Sequence, residues 1–161
     1  MNDTAAVVKA AGGTVVGSVK HPLAASDFSS FLLQAQGSKA QILGLANAGG
    51  DTINTIKAAN EFGITKTMKL AGLLMFINDI HSLGLKATQG MYLTDSWYWN
   101  RDPEARAWSR KFFEKIKRMP SSLQAADYSA ALQYLNAVKA TGSDDSDKVL
   151  AQMKKTKVND V

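Results

Sequence analysis

The 161-residue sequence contains no cysteine. A disulfide framework, a thiolate zinc site, an iron–sulfur cluster and a cysteine nucleophile are thereby excluded. Lack of cysteine fits oxidising and reducing compartments alike, so it does not locate the protein. Histidine is nearly as scarce. His21 and His81 are the two present, with no H-x-x-x-H spacing and no His/acid cluster, so no metal site is expected. No stretch approaches the roughly 20 uncharged apolar residues that a spanning helix needs. The opening MNDTAAVVKAAGG has no basic region followed by an apolar core. It is not expected to be a secretory signal, so the chain is either cytosolic or led by a segment outside it. No Gly-Lys-Ser/Thr closes a phosphate loop and no G-x-G-x-x-G opens a helix, which disfavours nucleotide binding. No G-x-S-x-G elbow is present either, so the usual signature of an α/β hydrolase is missing.

What is present is ordinary globular material: 45% hydrophobic and 20% charged residues. A chain of this length buries about 70% of the surface its unfolded form exposes, enough for a real core. The formal charge is +5, unevenly spread. Residues 1–95 carry seven Lys, no Arg and six acids; residues 96–161 carry twelve Lys and Arg against eight acids. All three Trp and all four Arg lie in that last third, so the chain has two compositional parts.

The first part alternates two periods. Thr14–Lys20 is β-branched and flanked by Gly12-Gly13 and Pro22, which predicts a strand. Helix signals follow over residues 27–36, with Asp27 as N-cap and Phe28, Phe31 and Leu32 at i, i+3 and i+4. Gln41–Ala46 is a short apolar run suited to a strand buried on both faces. Asp51 is then expected to cap a helix with Ile53, Ile56, Ala59 and Phe62 on one stripe, stopped by Gly63. Met68–Leu74, a short helix near Asn78–Leu83 and a strand over Gly90–Thr94 complete the series, after a short first helix at Thr4–Ala11. This order predicts an α/β fold: a three-layer parallel sheet with helices on both faces, occupying residues 1–95.

Residues 96–161 read as a helical segment. Asp102-Pro103-Glu104 combines a cap, a proline at the first helical position and an acid at the positive helix end. Ala105, Trp108, Phe112, Ile116 and Met119 then recur at helical spacing up to Pro120. A second helix over Leu123–Ala140 is expected to turn Tyr128, Leu132, Leu135 and Val138 inward and to stop at Gly142. A third begins near Asp144 and carries Val149, Leu150 and Met153. The basic run Arg110–Arg118 reads as a solvated helix face rather than a nucleic-acid surface, and Lys154–Lys157 as an exposed tail.

Three stretches are candidate sites. Asn47, Ala48, Gly49 and Gly50 join an apolar strand to a helix start, where backbone N–H groups converge on any carboxylate or phosphate. The same glycines suit a tight turn with no ligand at all. Leu74, Met75 and Phe76 end the next strand and could wall an apolar pocket or simply fill the core. Trp97 and Tyr98, in the aromatic run Trp97–Trp99, either line a cleft or seal the join between sheet and helices.

Taken in order, these blocks resemble the periplasmic solute-binding proteins of ABC importers, in the leucine/isoleucine/valine-binding-like branch of the type I fold. The resemblance is carried by VVKAAGGTVVGSVKHPLAASDFSSFLLQAQGSKAQILGLANAGGDTINTIKAANEFGI, KLAGLLM, GMYLTDSWYWN, PEARAWSRKFFEKI and AADYSAALQYLNAVKATGS. It implies a non-enzymatic, cofactor-free periplasmic protein that traps a small ligand between two lobes and presents it to a membrane permease. A ligand-sensing regulatory domain coupled to a receptor is the alternative the same fold allows. Residues 1–95 resemble the second lobe, and 96–161 a hinge crossing with helices that would pack on a first lobe. On that reading the missing leader is truncation, and Trp108, Phe112 and Tyr128 would be left exposed to drive dimerisation. By position, the resemblance assigns ligand contacts to Asn47, Ala48, Gly49, Gly50, Leu74, Met75 and Phe76, with Trp97 and Tyr98 near the hinge. Amino-acid-binding relatives tend to carry an aromatic in the first loop and an acid in the second. Asn47-Ala48 and Leu74-Met75-Phe76 stand there instead, which fits an aromatic or aliphatic carboxylate better than a branched-chain amino acid.

Overall fold

The computed structural model describes residues 2–160. The chain divides after Thr94 into two compact units.

The first unit is α/β, as expected. It runs α1 (Asn2–Ala10), α2 (Ser29–Gly37), β1 (Ile42–Leu45), α3 (Gly49–Glu61), a short 3-10 turn (Ile64–Lys66), β2 (Lys69–Gly72), α4 (Ile77–Leu83) and β3 (Tyr92–Leu93). The strands form a parallel sheet in the order β1-β2-β3. Register pairs Leu45 with Gly72 and Gly72 with Leu93, so the strand ends are level. The core holds Phe28 and Leu32 from α2, Leu45 from β1, Ile56 and Ala59 from α3, and Ile64, Met68, Leu70 and Met75 around β2.

Four expectations change here. Thr14–Lys20 forms no ladder, and residues 11–20 are exposed throughout. β-branched residues favour a pleated, half-buried surface, and without burial that preference does not make a strand. β1 is consequently an edge strand rather than one buried on both faces; Ile42 is 60% exposed. Asp27 does not cap α2. Phe28 occupies the N-cap, and Asp27 accepts hydrogen bonds from the Ser29 backbone N–H and hydroxyl. Asp51 does not cap α3 either: Ala48 is the N-cap, and Asp51 lies in the first turn.

The inward stripe of α3 is Thr52, Thr55, Ile56 and Ala59, while Phe62 is exposed. The helix is rotated from the purely apolar stripe because both threonine hydroxyls find partners near its N-terminus. Gly63 takes φ +69° after α3, the left-handed stop its position predicts.

The second unit is helical: α5 (Pro103–Ile116), α6 (Ser122–Thr141) and α7 (Ser146–Lys155). Trp97, Ala105 and Ala125 form a buried cluster, with Trp99 and Trp108 packed on it. α6 and α7 pack together, and Gln133 Nε2 donates to the Met153 and Thr156 carbonyls. Each helix is capped: Asp102 accepts from Ala105 N at 2.8 Å, Ser121 pairs reciprocally with Gln124, and Asp145 accepts from Lys148 N. α5 ends at Ile116, where Lys117 turns left-handed, so Met119 lies beyond it. On α6, Ser122, Ala125 and Ala137 face inward, whereas Leu135 is 60% exposed and Tyr128 41%. Ala125 packs in the Trp97 cluster, and of the four large residues expected inward Leu132 and Val138 are half-buried. Trp108 and Phe112 are half-buried rather than bare, stacked on each other at 5.6 Å, with Tyr128 5.3 Å from Trp108.

Asp102 carries a pH prediction. The Ala105 N–H, and after it the Arg101 guanidinium, hold its carboxyl below the ordinary carboxylate range. A depressed folded value means the capping contribution is present above the unfolded pKa and lost as pH falls through the folded one. Exchange of the Ala105 amide, corrected for its intrinsic rate, is expected to accelerate as the pH falls below the ordinary carboxylate range. Asp102→Asn, which keeps a cap without titrating, should abolish that step; an unchanged profile in the variant would exclude Asp102 as its source.

Candidate functional site

Two loops leave the carboxyl edge of the sheet side by side. The level register of Leu45 and Gly72 sets the start of both, and Leu73 N donates to Leu45 O at 2.9 Å across the gap. The loop after β1 is Asn47–Gly50. Gly49 has φ +55°, a conformation that favours glycine, and it opens α3. Ala48, Gly49 and Gly50 are exposed. The N–H groups of Gly49 and Gly50, in the first turn, have no acceptor within their own helix. They are available donors at a positive helix end.

Asn47 behaves differently. Its Oδ1 accepts from Thr52 Oγ1 at 3.0 Å, and its Nδ2 donates to Thr55 Oγ1 at 3.0 Å and lies 3.2 Å from His21 Nε2. The Thr55 hydroxyl in turn donates to Asp51 O at 2.7 Å. The Asn47 side chain is therefore committed inward, fastening the strand end to the helix start. It leaves the outward-facing chemistry of this loop to the next three residues.

The loop after β2 is apolar. Leu74 is 49% exposed and Phe76 half-buried, while Met75 is 2% exposed and sits in the core. The Met75 side chain is thus core filling; Leu74 and Phe76 supply what apolar surface the loop presents. Phe76 N donates to Asp79 Oδ2 at 3.0 Å, which pins the entry to α4. Neither loop contains an acid or a base, so together they offer N–H donors beside apolar side chains. No group of three His, Asp or Glu that could hold a metal occurs among the described residues.

Trp97 and Tyr98 belong to the second unit. Trp97 is 7% exposed and meets Trp108 edge-on at 5.6 Å, whereas Tyr98 is 42% exposed and tilts against Trp99. A shallow concavity of about 180 Å³ lies beside Trp97, lined by Ser96, Ser122, Ala125, Ser129 and Asp160, with Ser129 Oγ donating to Asp160 at 2.7 Å. Sequence reasoning missed this concavity, because no spacing rule links Ser96 to Asp160. It also missed His21 as a partner of Asn47, 26 residues away.

A family model described as "Periplasmic binding protein" matches residues 1–161. The crystal structure of a periplasmic binding protein from Burkholderia mallei is similar at 72% identity and a TM-score of 0.96, over 99% of this chain and 42% of that one. A branched chain amino acid ABC transporter periplasmic ligand-binding protein from Burkholderia xenovorans LB400 is similar at 44% identity and a TM-score of 0.81, over 99% of this chain and 43% of that one. A solute binding protein of an ABC transporter from R. palustris, in complex with 4-hydroxybenzoate, has 25% identity and a TM-score of 0.83, over 93% and 43%. The chain therefore spans about two fifths of the length of the structures it matches. No curated protein sequence matches it.

Proposed function

Since the chain belongs to the periplasmic binding protein family, we propose that it supplies one lobe of a solute-binding protein serving an ABC importer. On this reading residues 1–95 are the second lobe, residues 96–161 the hinge crossing and the helices beyond it, and the protein works in the periplasm. Its role is capture and delivery to a membrane permease, not catalysis. Affinity arises when the lobes close on the ligand and the closed form is favoured by the contacts it adds.

The observation that carries the proposal is the pair of loops on one sheet edge. Gly49 and Gly50 present N–H donors at a helix start, and Leu74 and Phe76 stand at the end of the adjacent strand. Such a surface suits an anionic head with an apolar body. Asp51, the acid next to the first loop, is turned back to Ala24 N and His21 with its side chain 14% exposed. An α-ammonium group therefore lacks a counter-charge on the loops themselves, which favours an aromatic or aliphatic carboxylate over an amino acid. The relative crystallised with 4-hydroxybenzoate supports this class, and the periplasmic ligand-binding protein of a branched chain amino acid ABC transporter supports the alternative.

Calorimetric titration with benzoate, 4-hydroxybenzoate and leucine separates the two. The aromatic acids are expected to bind more tightly than leucine. Phe76→Ala should weaken them about tenfold or more, since losing one buried ring face removes upwards of about 1.4 kcal/mol. Preference for leucine, with Phe76→Ala silent, would overturn the ligand class and the site together.

A further inference from the structure

His21 lies against the back of the loop Asn47–Gly50, and proton accounting fixes what its ring does there. The Thr55 hydroxyl spends its proton on Asp51 O, so toward Asn47 it can only accept. That requirement directs the NH₂ of Asn47 toward Thr55, and the same NH₂ lies 3.2 Å from His21 Nε2. Nε2 must then be an acceptor. The ring proton sits on Nδ1, which is 2.7 Å from Pro22 O. Asn47 Oδ1 meanwhile takes the proton of Thr52, a residue with no exposed surface. Every group in the network is satisfied, but only with His21 neutral and in its Nδ1–H form.

We infer that His21 is a proton-sensitive positioning residue for the ligand loop: protonating its ring breaks the Asn47 clamp and loosens Asn47–Gly50. In the imidazolium both nitrogens donate, so Nε2–H would confront the Asn47 N–H. Turning the amide over does not rescue it, because Asn47 Oδ1 would then face Thr55 Oγ1, two acceptors with no proton between them. Either arrangement gives up one hydrogen bond. The groups facing the ring are Asp51 from α3, with Oδ2 4.0 Å from Nδ1, the uncharged rings of Phe28 and Phe31 from α2, and Asn47 from the loop. Asp51 is the charged one among them. It also accepts from Ala24 N at 3.1 Å, and it provides a counter-charge that lets the protonated ring remain in place.

The ligand-binding role of this loop rests on the function proposed above, and the test keeps the two apart. In the ligand-free protein, nitrogen-resolved NMR is expected to show the Nδ1–H tautomer at about pH 8. Lowering the pH through the His21 titration should speed exchange of the Asn47 side-chain amide and of the Gly49 and Gly50 amides about tenfold beyond intrinsic rates, and His21→Gln should remove that step. An Nε2–H tautomer, no step at the His21 midpoint, or a step that persists in His21→Gln would each overturn the inference. Adding benzoate and leucine in turn forms the second arm. If the step is present but neither compound moves the Gly49 and Gly50 resonances, the positioning role stands and the binding role of the loop fails.

Discussion

Asn47→Ala is expected to lower the stability of the first unit by about 2–3 kcal/mol, far more than a half-buried polar side chain usually carries. The reason is what it leaves behind. Thr52 has no exposed surface, and its hydroxyl donates to Asn47 Oδ1 alone; Thr55, 5% exposed, loses its incoming N–H. A buried donor without an acceptor costs more than the net worth of the bond it used to make. Removing both partners should therefore be cheaper than the single changes imply. In a double-mutant cycle, Asn47→Ala combined with Thr52→Val is expected to recover about 1 kcal/mol of the summed losses. Chemical unfolding of the four proteins measures this, and strict additivity would show that Asn47 and Thr52 are not coupled.

Gly72→Val is expected to cost about 2–3 kcal/mol and to displace Leu74–Phe76. Gly72 is the last residue of β2 and pairs with Leu45 on one side and Leu93 on the other, so its backbone cannot withdraw. A Cβ built there meets Met75 Cβ at 2.8 Å and Met75 Sδ at 3.1 Å. Cβ-to-Cβ contact at that distance cannot be relieved by a rotamer change, so the Met75 backbone must move, and the loop with it. Gly44→Ala is the matched control on the neighbouring strand. Its nearest atom is Leu73 Cδ1 at 3.4 Å, the end of a flexible side chain. Equal unfolding midpoints for Gly72→Val and Gly44→Ala would refute the packing account.

Much of this was legible from residue order. The Asp102-Pro103-Glu104 start, the Gly63 and Gly142 stops and the Phe28/Leu32 stripe follow local rules, and the structure keeps them. What was not legible depends on partners distant in the chain. The Thr14–Lys20 run has the composition of a strand but no ladder, and composition cannot say whether a neighbour is present. On α3 the burial of Ile56 and Ala59 follows from spacing, whereas Thr52 and Thr55 look polar until Asn47 is placed beside them. A large apolar residue at helical spacing such as Leu135 is expected inward, yet it is 60% exposed and the small Ala125 and Ala137 are buried instead. For the candidate site, the Gly-rich turn and its apolar neighbour could be located from strand order alone. The inward commitments of Asn47 and Met75 needed coordinates.

The central claim is that the loops after β1 and β2 are the ligand-facing edge of this lobe. The most direct measurement is an amide-resolved NMR titration with benzoate. The account predicts that the largest shifts fall on Gly49, Gly50 and Phe76. Shifts centred instead on Ser96, Ser129 and Asp160 around the concavity beside Trp97, or none on the β1 and β2 loops at saturation, would contradict it.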